Sequence, residues 1–590
     1  MQRVELSTGG RGTFVPAGRG QEKGSEALER HYSISPWLLF VILYFVVGVA
    51  LVERHCYPDS RIVQQAQHQY WRRVPVKATR GVIQDTRGIA MVISEPLPSF
   101  ALDPSLLTQE DMLTLQRVLS GDAMTRVMDA REAGSHFLWL QRKMTPEAAE
   151  RLAGLKMRAI RRIDEQDRRY TNRQLMAHVL GFCNIDNRGL AGIEQAWDST
   201  LYNPPGYRIV VRNPGKQPAP AAENPMGRPH VTPVVTLTLD SRIQYIVEKH
   251  LYKAAKADGA KWASAICMDP WTGAILAMAS WPSYDPQNRS SLKPEALSNS
   301  AVSRGYEPGS TFKPIYMGIA LERGWVRTNE VFSCPARLKV ADGYITEAYP
   351  VAMGNIDTAH LLVKSSNVGM AQIGIRAEKT KTYESLRAWG FGQETDIELP
   401  AVAKGIVPYP EQWRGVVPAN IAIGQGLAVT PLQLITAEAA IVNGGRLMSP
   451  YIVKEASNSL GEVVYKGTPR VMREVLTPET AAWLRQAMRA VVVEGTGKRA
   501  ATKVTKLAGK TGTAQVPEKG KYSRNRYVAS FIGFWPYEDP QYLMLIVIGE
   551  PSGGRYYGGE LAAPPFKDIV EEMAELDYYA PAAPSGKESA

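Results

Sequence analysis

Three short motifs in a fixed order constrain this chain more than any other feature. Ser310-Thr311-Phe312-Lys313 comes first, then Ser365-Ser366-Asn367, then Lys510-Thr511-Gly512-Thr513. Together they supply the parts of an acyl-transfer site: a serine nucleophile, a lysine one helical turn away, a second Ser/Asn pair, and a strand to hold substrate. Each motif alone is weak. Ser-x-x-Lys recurs at Ser290/Lys293 and Ser-x-Asn at Ser523/Asn525. Context separates the copies. Ser290 lies in a polar, Pro-bearing stretch that reads as loop, and Ser523 lies in a charged loop after Lys510, out of order. Ser310 follows the chain break Pro308-Gly309 and precedes an apolar-periodic run, Phe312, Ile315, Tyr316, Ile319 and Ala320. That pattern predicts a helix starting at or next to the serine.

The spacings carry chemistry. Positions i and i+3 share a helix face, which predicts the Lys313 amine above the Ser310 hydroxyl. A serine hydroxyl attacks only when a base takes its proton, and an ordinary lysine is already protonated. Burial and a nearby second cation both lower a lysine pKa. Lys313 is therefore expected neutral, with Lys510 as the charged neighbour. A helix N-terminus has unpaired N–H groups, so the Ser310 N–H can donate to an oxyanion, a contact commonly worth about 3 kcal/mol of barrier. The small residues of KLAGKTGTAQV let a substrate backbone approach. Ser365 can shuttle a proton to a leaving amine, and Asn367 can hold the Lys313 amine and a substrate amide. A Ser/Asn pair at a helix start also caps helices.

Outside the trio, RGVIQDTRGIAMVIS (Arg80 to Ser94), GFCNIDNRGLAGIEQAWDSTL (Gly181 to Leu201, with Gly189, Gly192 and Glu194), MDPWTGAILAMASWPSYDPQ (Met268 to Gln287), NIAIGQGLAVTPLQL and Tyr557-Gly558-Gly559 complete a resemblance. The chain resembles the class B penicillin-binding proteins, monofunctional peptidoglycan D,D-transpeptidases, over nearly everything beyond the first few dozen residues. It looks most like the septal, FtsI-type members. Two departures touch the non-catalytic domain: Thr86-Arg87-Gly88 stands where the family has Arg-Asn-Gly, and RRYTNRQLMAHVLGF lacks a Pro-Ser-Gly after its tyrosine. The resemblance implies Ser310, Lys313, Ser365, Asn367 and Lys510 as catalytic residues. It implies Thr511, Gly512 and Thr513 for substrate and oxyanion binding, with the Thr513 amide as second oxyanion donor. No metal or cofactor is implied.

At 590 residues the chain is long enough for several domains, and 44% apolar residues suffice for real cores. The run Pro36 to Val52 is uncharged and 17 residues long, which predicts a membrane-spanning helix. A cleaved signal peptide is the rival reading, with Gly48-Val49-Ala50 as the small-residue site. Charge does not orient the span: five Lys/Arg precede it, and Arg54, Arg61, Arg72 and Arg73 follow it. Cys56, Cys183, Cys267 and Cys334 show no Cys-x-x-Cys spacing, which argues against metal or redox use. The net charge of +11 suits anionic surfaces such as lipid headgroups or wall polymers, and no nucleic-acid motif accompanies it.

The expected organisation is a tail at 1–35, an anchor at 36–52 and a pedestal of the penicillin-binding protein dimerisation type at 53–230. A transpeptidase domain at 231–577 and a tail at 578–590 follow. Amphipathic helical patches fall within 101–160, and residues 212–230 read as a Pro/Gly-dense loop or hinge. The fold class is α/β (α+β): a serine β-lactamase-like transpeptidase domain whose antiparallel sheet has helices on both faces. The Lys510 strand is placed at the sheet edge beside the Ser310 helix, where free backbone groups can pair with an extended peptide. The expected activity is crosslinking of D-Ala-D-Ala stem peptides at the outer side of the cytoplasmic membrane, with β-lactams as inhibitors. The family partners are an FtsW-type SEDS glycosyltransferase and divisome proteins. An elongation-type transpeptidase, a D,D-carboxypeptidase and a β-lactam sensor are the alternatives.

Overall fold

The computed structural model describes residues 36–56, 71–76, 79–202, 206–211, 219–220, 231–341, 343–518 and 521–576. The tails expected at 1–35 and 578–590, Arg61, and most of the 212–230 hinge lie outside the described residues. The chain divides into two units. One, Met1–Val74 with Ile209–Ala222, contains helix α1, Pro36–Cys56. Its window Pro36–Glu53 has a mean hydropathy of 2.2 and is not buried against protein. At 1.5 Å per residue the helix spans about 30 Å, the thickness of a bilayer's hydrocarbon core. The helix outruns the apolar run, continuing through Glu53 to Cys56.

The other unit, Pro75–Arg208 with Glu223–Ala590, holds the pedestal and the catalytic segment together. Strand β1 (Val82–Gln84) pairs antiparallel with β2 (Ala90–Leu102), which also pairs with β3 (Leu138–Gln141) and β4 (Ile160–Tyr170). On its other edge β1 pairs in parallel with β5, Val234–Leu237. Two further strands, Val453–Ser457 and Val463–Lys466, extend the sheet from β5. Residues on both sides of position 230 thus share one sheet, because pairing β1 with β5 satisfies backbone groups that a bare edge would leave open. The stretch from Asp111 to Met128 is two helices, Gln109–Val118 and Gly121–Glu132, the first started by a Thr108/Asp111 capping box.

The two pedestal boxes meet around one buried carboxylate. Glu194 is fully buried and accepts from Arg80 Nε at 2.5 Å and Arg168 Nε at 2.8 Å. Arg80 also reaches Asp198 at 2.6 Å, and Arg168 reaches Gly81 O at 2.7 Å. Burial raises the Glu194 carboxyl, but Arg168 and Arg80 outweigh it and hold the group below its ordinary range. The departure Thr86-Arg87-Gly88 keeps a working turn. Asp85 Oδ1 accepts from the N–H groups of Arg87 and Ile89, while Asp85 Oδ2 accepts from Ser241 Oγ at 2.7 Å and so ties the pedestal to the next helix.

That helix is α2, Ser241–Ala257. The central sheet is built from β6 (Trp262–Met268), β7 (Ile275–Trp281), β8 (Ala508–Glu518), β9 (Lys521–Trp535) and β10 (Tyr542–Gly549). Its order is β7-β6-β10-β9-β8, with every neighbour antiparallel. The remaining helices that matter here are α3 (Lys313–Glu322), α4 (Thr358–Val363), α5 (Asn367–Arg376), α6 (Pro431–Val442), α7 (Pro478–Val493) and α8 (Ala563–Glu575). Helices α2 and α8 cover one face of the sheet; α6 lies on the other, in one core with α3 and α7. Strand β10 shows why its sequence is apolar throughout. Met544, Ile546 and Ile548 enter the first core, and Leu543, Leu545 and Val547 the second. Phe566 of α8 meets Phe531 and Trp535 edge-on at 4.8 and 5.3 Å, pairs worth about 0.5–1.5 kcal/mol each. All four cysteines are free thiols.

Candidate active site

The chain enters the site through Pro308 and Gly309. Gly309 has φ +56°, and a Cβ there would sit 3.0 Å from Thr513 O. Only glycine allows both the left-handed turn and the close approach to β8. Gly309–Phe312 forms a 3₁₀ turn, and the α-helix proper begins at Lys313, with Pro314 in its first turn where a missing N–H costs nothing. The expected helix start is therefore a tighter turn that runs into α3. Ser310 is half-buried, and its hydroxyl has no hydrogen-bond partner among the described residues. Lys313 is fully buried. Its Nζ is directed to Ser365 O at 2.7 Å, Asn367 Oδ1 at 2.8 Å and Ser365 Oγ at 3.3 Å. Burial pushes the amine down to about 7, against a smaller opposing pull from Glu347. A neutral amine that donates to the two nearer oxygens keeps its lone pair for a hydroxyl proton.

The second motif divides two jobs between its serines. Ser366 caps α5 by accepting from Gly369 N at 3.0 Å. Ser365, one residue earlier, sits at φ +58°, a left-handed conformation costly for a residue with a Cβ. That turn takes Ser365 out of the capping position and presents it to the lysines. Glu347, which follows strand Gly343–Thr346, holds the motif from behind. Its carboxylate, 3% exposed, accepts from Ser366 Oγ and Asn367 N, both at 2.6 Å, and from Val368 N at 3.3 Å. Asn367 Nδ2 donates to Thr346 O at 3.0 Å, so the amide is held at both ends. Sequence reading passed over Glu347. It lies 19 positions before Ser366, with no periodicity or motif joining the two.

Strand β8 is the sheet edge, and it alternates. Lys510 and Gly512 face the α6 side of the sheet; Thr511 and Thr513 face the α8 side. Lys510 is fully buried, and Nζ donates to Ser365 Oγ at 2.8 Å and Thr511 O at 3.0 Å. Burial first, and then Lys313, push this amine well below the ordinary lysine range, with Glu438 opposing. Two buried amines that share Ser365 oppose each other's protonation. The sequence reading expects Lys510 to be charged; in the folded chain burial and the neighbouring Lys313 both work against that charge.

Ser310, Ser365, Asn367, Thr511 and Thr513 line one cleft of about 380 Å³, together with Tyr349 and Tyr557. Thr511 and Thr496 share a hydroxyl hydrogen bond of 2.7 Å, and Thr513 Oγ1 accepts from Gly558 N at 3.0 Å. A Cβ on Gly558 would meet Gly512 O at 2.2 Å, so the Tyr557-Gly558-Gly559 segment lies directly against the Lys-Thr-Gly strand. Tyr557 also stacks on Tyr349 with centroids 5.2 Å apart. Neither duplicate motif reaches the cleft. Ser290 is exposed and bonds Asn288 at 2.7 Å, and Ser523 lies in β9, in a strand where a loop was expected.

Residues 263–571 match the family described as "Penicillin binding protein transpeptidase domain", and residues 75–224 match "Penicillin-binding Protein dimerisation domain". "Stage V sporulation protein D" of Bacillus subtilis (strain 168) is 31% identical, across 91% of this chain and 85% of its own. "Peptidoglycan D,D-transpeptidase FtsI" of Escherichia coli (strain K12) is 29% identical, across 93% and 92%. The crystal structure of penicillin-binding protein 3 from Mycobacterium tuberculosis complexed with ampicillin superposes with a TM-score of 0.66 at 26% identity, covering 87% of this chain and 98% of that one.

Proposed function

Because this chain belongs to the class B penicillin-binding proteins, which are peptidoglycan D,D-transpeptidases, we propose that it crosslinks stem peptides through an acyl-enzyme on Ser310. One observation carries the reading: Ser365 Oγ lies within hydrogen-bond reach of both buried amines, at 3.3 Å from Lys313 and 2.8 Å from Lys510, in the same cleft as Ser310. Ser310 Oγ attacks the carbonyl of the penultimate D-alanine, and its proton passes to the Lys313 amine. The Ser310 and Thr513 N–H groups hold the oxyanion. Ser365 relays a proton to the leaving D-alanine nitrogen as the C–N bond breaks and the ester remains. An amine of a second stem then attacks the ester, forms the new amide and returns the proton to Ser310. The edge of β8 pairs with the extended donor peptide, while Thr511 and Thr513 offer hydroxyls to its carboxylate and Gly512 leaves room for its backbone. β-Lactams enter the same route and stop at the acyl-enzyme.

In the cell we assign the protein to septal wall synthesis, anchored in the cytoplasmic membrane by α1 with the catalytic unit outside. An FtsW-type glycosyltransferase and divisome proteins are its partners. The alternative is an elongation-type role. Acylation with a labelled penicillin, followed by peptide mapping, tests the chemistry: the label is expected on the peptide that holds Ser310, and a label elsewhere would sink the nucleophile assignment. A fluorescent fusion tests the role, with mid-cell bands expected and lateral-wall signal favouring the alternative.

A further inference from the structure

The steps above leave two cations of the cleft without a task. Lys364 and Lys498 both line it, together with Ser310, Ser365 and Thr511. A third cleft cation, Arg499, is paired with Glu560 at 3.4 Å. Lys364 and Lys498 are exposed and have no carboxylate partner among the described residues. An exposed lysine is usually no more than a solvated charge, but packing brings these two to one end of the cleft. Helix α4 ends at Val363 and α7 at Val493, and the two helices pack together. Just beyond them the segments touch. Thr496 N donates to Val363 O at 3.4 Å, and a Cβ on Gly495 would lie 2.4 Å from the same oxygen. Lys364 is the residue after Val363, and Lys498 opens the short turn Lys498–Ala500 just after Thr496. Thr496 Oγ1 meets Thr511 Oγ1 at 2.7 Å. Lys364, Thr496, Lys498 and Thr511 therefore form one group beside Ser365. In the acyl-transfer reading this is where the terminal D-alanine lies, with its nitrogen leaving past Ser365 and its carboxylate against Thr511.

We infer that this group is an acceptor subsite, and that the acceptor it fits is an amine whose own carbon also carries a carboxylate. The inference rests on the acyl-transfer reading and deepens it. The new amide forms along the path by which the old one broke, run in reverse. The acceptor nitrogen bonds the ester carbon, the bond from that carbon to Ser310 Oγ breaks, and the proton lost by the amine returns to Ser310 through Ser365 and Lys313. The acceptor nitrogen thus stands where the leaving nitrogen stood, and the substituents on its carbon stand where those of D-alanine stood. A carboxylate in that place meets the hydroxyls of Thr496 and Thr511 and the ammonium groups of Lys364 and Lys498. Such charge-assisted contacts are stronger than neutral ones. The free amino-acid end of a diaminodicarboxylic side chain has this arrangement. The side-chain amine of a lysine and the terminal amine of a peptide bridge do not, and they leave Lys364 and Lys498 without an anion.

The test uses the full chain in detergent with a thioester donor, an N-acyl-D-alanine on a leaving group that has no carboxylate, so that only the acceptor needs the subsite. Equal concentrations of D-alanine and D-alaninamide compete for the acyl-enzyme, and the readout is the early ratio of the D-alanine product to the D-alaninamide product. The intrinsic reactivities of the two amines are the same for every variant and cancel from the comparison. Lys364→Gln and Lys498→Gln are each expected to lower the ratio about fivefold, and the double variant about twentyfold. Lys498→Arg is expected to hold it. A substitution that merely deforms the cleft slows both products alike and leaves the ratio where it was. A ratio unchanged in the double variant overturns the inference, and so does a ratio lost equally in Lys498→Arg, which would point to shape and not to charge. A wild-type chain that hydrolyses the thioester but joins neither amine overturns it too. A thioester that is never opened overturns the acyl-transfer reading, and this inference with it.

Discussion

Lys313→Met is expected to slow acylation of Ser310 by about a hundred- to ten-thousand-fold, the usual worth of a positioned general base. Methionine fills a similar volume but leaves Ser365 O and Asn367 Oδ1 without their donor and Ser310 without a proton acceptor. Lys313→Arg is expected to be as slow, because a guanidinium cannot lose its proton to act as base. In the wild-type chain the rate should rise with pH through about 7, since the neutral amine is the active form and burial has brought its titration there. Stopped-flow acylation of the three proteins across pH checks all of this. An arginine variant as fast as wild type would remove Lys313 from the base role.

Glu194→Gln is expected to destabilise the pedestal by about 3–5 kcal/mol, the cost of breaking a buried ion pair from one side. Glu194 is fully buried between Arg80 and Arg168, at 2.5 and 2.8 Å. The amide keeps the shape but leaves Arg168 without its carboxylate and Arg80 with Asp198 alone. The readout is the denaturant midpoint of the pedestal transition, followed by hydrogen exchange. Penicillin acylation of the folded protein should be unchanged, because Glu194 touches none of the cleft residues. An unshifted midpoint would mean that Asp198 and the backbone carbonyls satisfy the arginines by themselves.

Both results bear on what could be read from letters. The Ser310–Lys313 spacing was legible because one helical turn is a local relation, and Pro308-Gly309 marked where that turn begins. The apolar strands β9 and β10 were legible because both faces of a central sheet are buried. The division of labour in the second motif was not. Whether Ser365 or Ser366 caps α5 depends on one residue's φ and on Glu347, which arrives from 19 positions upstream. The shared sheet across position 230 was not legible for a related reason: β1 and β5 are far apart in the chain, and strand pairing across that distance leaves no periodic trace.

The sequence alone marked the candidate residues Ser310, Lys313, Ser365, Asn367 and Lys510 and their order along the chain, because acyl transfer needs those residue types at short, helix-determined spacings. Tertiary structure decided their protonation. Lys313 and Lys510 differ from a surface lysine because both are fully buried and share Ser365. Burial of that kind exists only once α3, α5, α6 and β8 have packed.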